Sequence, residues 1–222
     1  MRKYTKAPTD ARGDILSALV SHVAFDGWSD AALRHTADEL DVAVEFIEMA
    51  YPGGLPEMVE AYLADIDEKM LAALKKKKLD KMRIRDRITA AVTTRLEINA
   101  KHKETVRRTV GFLALPQNAL LSARSLWKTV DAMWRAAGDT STDYNHYTKR
   151  MILGGVYSST LLVWLNDTSD GHRETCAFLD RRIENVMEFE KVKAKAREIT
   201  KDLPDPFKIL GKMRYPDGHK SK

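Results

Sequence analysis

The side chains best suited to chemistry are thinly spread along the 222 residues. Six histidines (His22, His35, His102, His146, His172 and His219) and one cysteine, Cys176, are scattered without the i, i+4 or C-x-x-C spacing that gathers metal ligands. No Glu-x-x-His pair suggests a di-iron bundle site, and the phosphate-cradling and nucleophile-elbow glycine motifs are missing. Asp143 and His146 lie three apart on a predicted helix, where they read as a surface pair rather than a catalytic dyad, because nothing else converges on them. The expectation is a protein without catalytic residues, metal or cofactor. A different chemistry is offered by residues 151–165, an apolar run interrupted only by small residues. Gly154, Gly155, Ser158 and Ser159 fall within about a turn and a half of helix. Small residues there allow close approach of another helix, or of an apolar ligand lying along the backbone. A run of this length is too short to cross a bilayer, so it reads as a core helix enclosed on all sides.

The elements that must position this segment are all helical. Apolar periodicity predicts helices over 10–25, 30–40 with Ser29 as cap, 44–51, and from Pro56 to about 74. Further helices follow over 81–100, 105–115 and 117–137, the last with Leu120, Ala123, Trp127, Val130 and Trp134 inward. The central segment comes next, and then a helix over 173–200 with Leu179, Ile183 and Val186 inward, flanked by Phe178 and Met187. Residues 1–9 read as a basic disordered leader, and 201–222 as a basic tail. In that tail Phe207, Ile209, Leu210 and Met213 alternate with Lys208 and Lys212, a pattern that suits a membrane interface, a docked tail or disorder. A single cysteine excludes an intramolecular disulfide framework and fits a reducing compartment. The start is basic but is followed by no apolar segment of signal-peptide type.

The net charge of +5 hides two opposed blocks. Residues 28–70 hold eleven acids against two bases, and residues 75–108 hold thirteen bases against four acids. The run KKKKLDKMRIRDRI (75–88) that opens the basic block reads as a solvated helix start, with contact to nucleic acid or anionic lipid as the alternative. The first block contains the phrase FDGWSDAALRHTADELDVAVEFIEMAYPGGLPEMV, which resembles the amino-terminal helix-turn-helix unit of TetR-family repressors through Gly27, Ala37, Leu40, Val42 and Tyr51. A reading helix needs cationic or amide side chains for phosphates and base edges. The segment here is Val44, Glu45, Phe46, Ile47, Glu48, Met49 and Ala50, and Gly53 and Gly54 stand where the repressors carry a phosphate-binding lysine. An acidic head repels a polyanion and forfeits counterion release, so DNA binding is expected to be lost.

A second resemblance is denser. ALP-x-N (114–118), VD-x-MW (130–134), AGD-x-STD-x-N (137–145) and YT-K-R (147–150), followed by WLND-x-S, resemble the signature of the coenzyme Q (ubiquinone) biosynthesis accessory lipid-binding family, the ninth member of that gene series. The likeness covers about residues 10–190 and is densest over 112–168. It implies an all-α, TetR-repressor-like bundle of about nine to ten helices, divided into a helix-turn-helix-like unit over 10–74 and a ligand-binding and dimerisation domain over 75–200. It also implies a hydrophobic pocket for isoprenoid or quinone lipid. Its lining residues are assigned to Leu115, Trp127, Trp134, Leu153, Gly154, Val156, Tyr157, Ser158, Thr160 and Leu161 on the central and preceding helices. Further implications are homodimerisation, a carboxy-terminal helix that touches the membrane, and a location peripheral to the bacterial inner membrane, or on the matrix side of the mitochondrial one. A patch of Asp131, Met133, Asp143, His146 and Tyr147 would dock a membrane-associated demethoxyubiquinone hydroxylase or another enzyme of ubiquinone synthesis. At His146 eukaryotic members of the family carry tryptophan. The alternative reading is a TetR-type transcriptional regulator with a hydrophobic effector pocket.

Overall fold

The computed structural model describes residues 6–142 and 144–201, with side chains to residue 188 except that of Tyr144. Among these residues there are nine α-helices: α1 (Arg12–Asp26), α2 (Asp30–Leu40), α3 (Val44–Ala50), α4 (Gly54–Lys75), α5 (Ile84–Asn99), α6 (Lys103–Leu113), α7 (Ala119–Ala136), α8 (Tyr144–Asn166) and α9 (Arg173–Lys201). The fold is all-α, as the periodicity predicts. Contacts divide the chain into a unit of residues 1–180, described below, and a unit of residues 181–222. The second unit comprises the rest of α9 and the tail.

The first three helices fold on one another for local reasons. Gly27 closes α1 with φ +67°, a conformation that costs glycine little, and the Ser29 hydroxyl accepts the Ala32 amide to cap α2. Ile15, Leu19 and Val23 of α1, Leu33 and Ala37 of α2, and Ile47 of α3 then share a buried core with Met58, Val59, Tyr62 and Ile66 of α4. Arg12 fastens the unit. It donates to the Ala50 carbonyl (2.8 Å) and Glu57 (2.6 Å), and it stacks over the Tyr51 ring. Trp28 reaches further, donating its indole N–H to Thr109 of α6 at 3.0 Å.

Two expectations are corrected here. Helix α5 does not begin at Lys81: Lys75 ends α4, Lys76 to Lys78 lie in the connection, and α5 begins only at Ile84, late in the basic run, where Arg87 clamps the turn by donating to the carbonyls of Met82, Asp80 and Ala137. Gly138 must be glycine: its φ is +89°, and a Cβ there would stand 3.1 Å from the Arg87 guanidinium. Nor is α8 enclosed on all sides. Leu153, Val156, Tyr157, Thr160, Trp164 and Leu165 are buried, but Met151 and Leu162 are 71% and 54% exposed, and Gly155 is exposed between them. An apolar residue without an apolar partner gives no periodic signal, so hydropathy alone could not say which stripe faces outward.

Helix α7 shows the same effect in reverse. The predicted inward stripe is only partly the buried one: Val130 is buried and Trp127 and Trp134 are half-buried, but Leu120 is 71% exposed and Ala123 is exposed, and the rest of the buried face is Ser125, Thr129 and Met133. The inward face of α7 carries hydroxyls, which a hydropathy pattern scores as outward.

The turn between α7 and α8 is built on charge. Arg150, 2% exposed, pairs with Asp131 at 2.6 Å and Asp139 at 3.1 Å, and donates to the His146 carbonyl. Asp139 also accepts from Lys149 (2.6 Å) and Ser141 (2.9 Å). Burial opposes the ionisation of Asp139, but the hydrogen bonds from Lys149, Ser141 and Arg150 outweigh it and bring its pKa from 3.8 to about 2. A folded-state pKa below the unfolded one stabilises the fold above the unfolded value and is lost as pH falls through the folded value. Replacing Asp139→Asn should therefore destabilise the protein by about 1–3 kcal/mol at neutral pH. In urea titrations from pH 7 down to pH 2, the gap to wild type should shrink only below about pH 4; a gap that is constant with pH would show that the ionised carboxylate is not what matters.

Candidate ligand cavity

Helices α4 to α8 enclose a cavity of about 260 Å³. Its wall is apolar over most of its area: Leu63 and Ile66 come from α4, Val106, Val110 and Leu113 from α6, Leu126 from α7, and Leu161 and Leu162 from α8. These positions recur at helical spacing, so one face of each helix supplies the wall. Ala114 and Leu162 are exposed and mark the open end, with Ser122, Ser158 and Leu161 half-buried beside them.

The opposite, buried end is polar. Arg95 of α5, only 2% exposed, donates Nε to the Tyr157 hydroxyl at 2.8 Å and pairs through Nη1 with Asp67 of α4. Thr129 of α7 donates to the other oxygen of Asp67 at 2.9 Å. Burial pushes the Asp67 carboxyl upward, against the Arg95 guanidinium and the Thr129 hydrogen bond, which favour its charged form. The result is a buried guanidinium whose charge is answered by one carboxylate. Tyr62 and Ser125 stand in the same wall, each 5% exposed, and among the described residues neither hydroxyl finds a hydrogen-bond partner. Burial drives the Tyr62 pKa up, so the phenol keeps its proton and remains a donor.

Of the ten residues assigned to a lipid pocket from the sequence, Tyr157, Ser158 and Leu161 line this cavity. The other seven lie elsewhere. Leu153, Val156 and Thr160 are buried in the packing of α8, with the Thr160 hydroxyl bonded to the Val156 carbonyl (2.7 Å). Gly154 packs against Leu126, where a Cβ would sit at an ordinary 3.6 Å. The Trp134 indole donates to the Lys149 carbonyl, and the Lys149 ammonium stands over its ring. Leu115 is 42% exposed, one residue beyond the cavity edge. No sequence motif marks Arg95, Asp67 or Tyr62. A signal was present: Arg95 falls seven residues after Ile88, on the stripe that continues through Val92 and Leu96, so a charged residue occupied an inward position.

The assigned docking patch divides as well. Met133 is fully buried, so its side chain meets the core rather than a partner. Asp131 is held by Arg150 and by Arg135 (2.7 Å). His146 and Tyr147 form an aromatic cluster with Trp127, the Trp127 and Tyr147 rings stacking with centroids 5.8 Å apart, and Tyr147 is 58% exposed. The His146 Nδ1–H donates to the Ser141 carbonyl at 2.9 Å, which fixes that ring. Asp143 and the tail residues Phe207, Lys208, Ile209, Leu210, Lys212 and Met213 lie outside the described residues. Among the described residues no helix is long and apolar enough to cross a membrane, and no three His, Cys, Asp or Glu side chains converge to hold a metal. On the would-be DNA-reading helix α3, the exposed side chains are Glu45, Glu48 and Met49.

Comparison with known proteins places these features. The COQ9 family model matches residues 119–190. The ubiquinone biosynthesis protein COQ9, mitochondrial, of Rattus norvegicus is 33% identical over 185 residues, covering 78% of this chain and 57% of the relative. COQ9-B of Xenopus laevis is 34% identical over 180 residues, covering 78% and 61%, and COQ9 of Drosophila melanogaster is 27% identical over 207 residues, covering 91% and 63%. The chain thus spans about three-fifths of the length of the curated relatives it matches. Among solved structures, a TetR transcriptional regulator from Nitrosomonas europaea ATCC 19718 superposes with a TM-score of 0.65 at 20% identity, over 79% of this chain and 97% of that one, a likeness of fold. The chain belongs to the COQ9 family, on a TetR-like all-α fold.

Proposed function

We propose that this chain is a lipid-binding accessory protein of ubiquinone biosynthesis, without catalytic activity of its own. In this reading it takes isoprenoid or quinone intermediates into the cavity between α4 and α8 and presents them to a membrane-associated demethoxyubiquinone hydroxylase. The observation that carries the reading is the cavity itself, open at one end, apolar along its wall and polar at its buried end. Pockets of this kind bind ligands with a long apolar body and a few oxygens. Each methylene removed from water contributes about 0.8 kcal/mol, so a few isoprene units suffice for useful affinity. The relatives' name supplies the pathway. Protein purified under native conditions should carry an isoprenoid or quinone lipid, seen by native mass spectrometry followed by extraction; lipid-free protein from cells that make quinone would count against the reading.

The partner surface is read as the Trp127, His146 and Tyr147 cluster, because its aromatic rings are held in place and Tyr147 is the most exposed of them. Replacing Tyr147→Ala should weaken capture of the hydroxylase about tenfold. It should lower stability by less than about 1 kcal/mol, as expected at an exposed site. Asp131→Ala should behave differently, lowering stability because Arg150 loses one of its two carboxylates. Undiminished capture by the Tyr147 variant would remove the patch from the model of docking.

The exposed stripe of Met151, Gly155 and Leu162 on α8 suits self-association, so we read the protein as a homodimer. The basic tail is read as its membrane contact. The second reading, a transcriptional regulator, rests on the fold alone and is opposed by Glu45 and Glu48 on the exposed side of α3. Mobility-shift titration with duplex DNA at low salt should show no saturable binding below about 10 μM, since even non-specific binders fall in the 10⁻⁴–10⁻⁶ M range at physiological salt.

A further inference from the structure

The buried wall of the cavity holds two enclosed hydroxyls, those of Tyr62 and Ser125, that find no hydrogen-bond partner among the described residues. A tyrosine hydroxyl inside a protein normally finds a partner, and leaving it without one costs free energy. Ser125 has a local option, donation to the carbonyl one helical turn back, which Thr36, Thr109 and Thr160 all use. It does not take that option in this conformation. Tyr62 has no such option, because its hydroxyl lies at the far end of a ring. Its electrostatic neighbours are Arg95, Tyr157 and Asp65, and each already has a partner.

The charges at this end point the same way. The Arg95 guanidinium is committed to Asp67 and Tyr157. An anionic ligand arriving here would meet the Asp67 carboxylate, which already balances the Arg95 charge, so its own charge would be left in excess at a buried site. A neutral ring bearing carbonyl or hydroxyl oxygens meets no such cost, and it offers acceptors to the two idle donors.

We propose that the cavity binds its ligand head inward: a neutral, oxygen-bearing ring occupies the polar end and accepts from the Tyr62 and Ser125 hydroxyls, while the isoprenoid chain runs along Ile66, Val106 and Leu161 toward the open end. This rests on the lipid-binding reading given above and adds to it an orientation, two specificity residues and a class of head group. Quinones and phenols qualify, and carboxylated rings do not.

Calorimetric titration of the full chain tests this with three ligands sharing one short isoprenoid tail: a quinone, an unsubstituted benzene and a benzoate. Wild type should bind the quinone at least about tenfold more tightly than either of the others, the gain expected of a buried site built to hydrogen-bond. In Tyr62→Phe the quinone's Kd should rise about tenfold while that of the benzene analogue stays within about twofold, and Ser125→Ala should show the same pattern more weakly. A structural role for Tyr62 is separated by thermal melting without ligand. There Tyr62→Phe should match or exceed wild type, because it removes an unpaired buried hydroxyl. Equal loss for quinone and benzene analogues, a destabilised ligand-free Tyr62→Phe protein, or tighter binding of the benzoate would each overturn the proposal and leave the lipid pocket standing. If wild type binds none of the three ligands, the lipid-binding reading itself fails.

Discussion

One buried guanidinium holds the signature region together. Arg150 has almost no contact with solvent, so its charge must be matched inside the protein, and Asp131 and Asp139 do this from α7 and from the turn beyond it. The geometry follows from that requirement. The turn after α7 must bring Asp139 back over the helix, which Gly138 permits through its positive φ, and α8 must start in the register that places Arg150 between the two acids. That register fixes which stripe of α8 faces the cavity, and so sets Tyr157, Ser158 and Leu161 in its wall. Replacing such a pair with apolar residues can cost nothing in stability, so its value here is better described as register than as strength.

Much of the family's densest motif is turn chemistry of this sort. Asn118 of ALP-x-N donates to the Phe112 carbonyl at 2.8 Å and stitches α6 to the start of α7. Asp167 of WLND-x-S accepts from the backbone N–H and hydroxyl of both Ser169 and Thr175, which hold its carboxyl well below the usual range and launch α9. A cluster of motif residues therefore marks where the chain reverses. The cavity draws on both regions: ten of its eighteen wall residues, from Leu113 to Leu162, fall within the motif-dense segment, and the other eight come from α4, α5 and α6, where the resemblance is thinner.

This explains which parts were legible in the sequence. Helix ends were readable because caps and breakers act locally: Ser29, Gly27, Pro116 and Gly138 each stop or start a helix by their own geometry. The class of fold followed from periodicity. Facing was not readable for α7 and α8. In α8 every stripe is apolar, and in α7 the inward stripe holds Ser122, Ser125 and Thr129 while Leu120 points to solvent. A hydropathy pattern assumes that the interior is uniformly apolar, and a helix that serves a partly polar cavity breaks that assumption. Arg95 was concealed in the same way, inside a segment whose many lysines and arginines read as a solvated surface.

The same hydroxyls bear on what a cavity wall asks of its residues. In a filled core, Ser125 and Tyr62 would be liabilities, and exchange for alanine and phenylalanine would relieve them at no cost in shape. A cavity wall is under a different demand, because a group left idle in the empty protein can be satisfied once a ligand arrives. Trp28, in the loop before α2, ties the two halves of the first unit together by bonding Thr109, itself a wall residue. That bond joins the unit carrying α3, whose exposed side chains include Glu45 and Glu48, to the wall of the cavity.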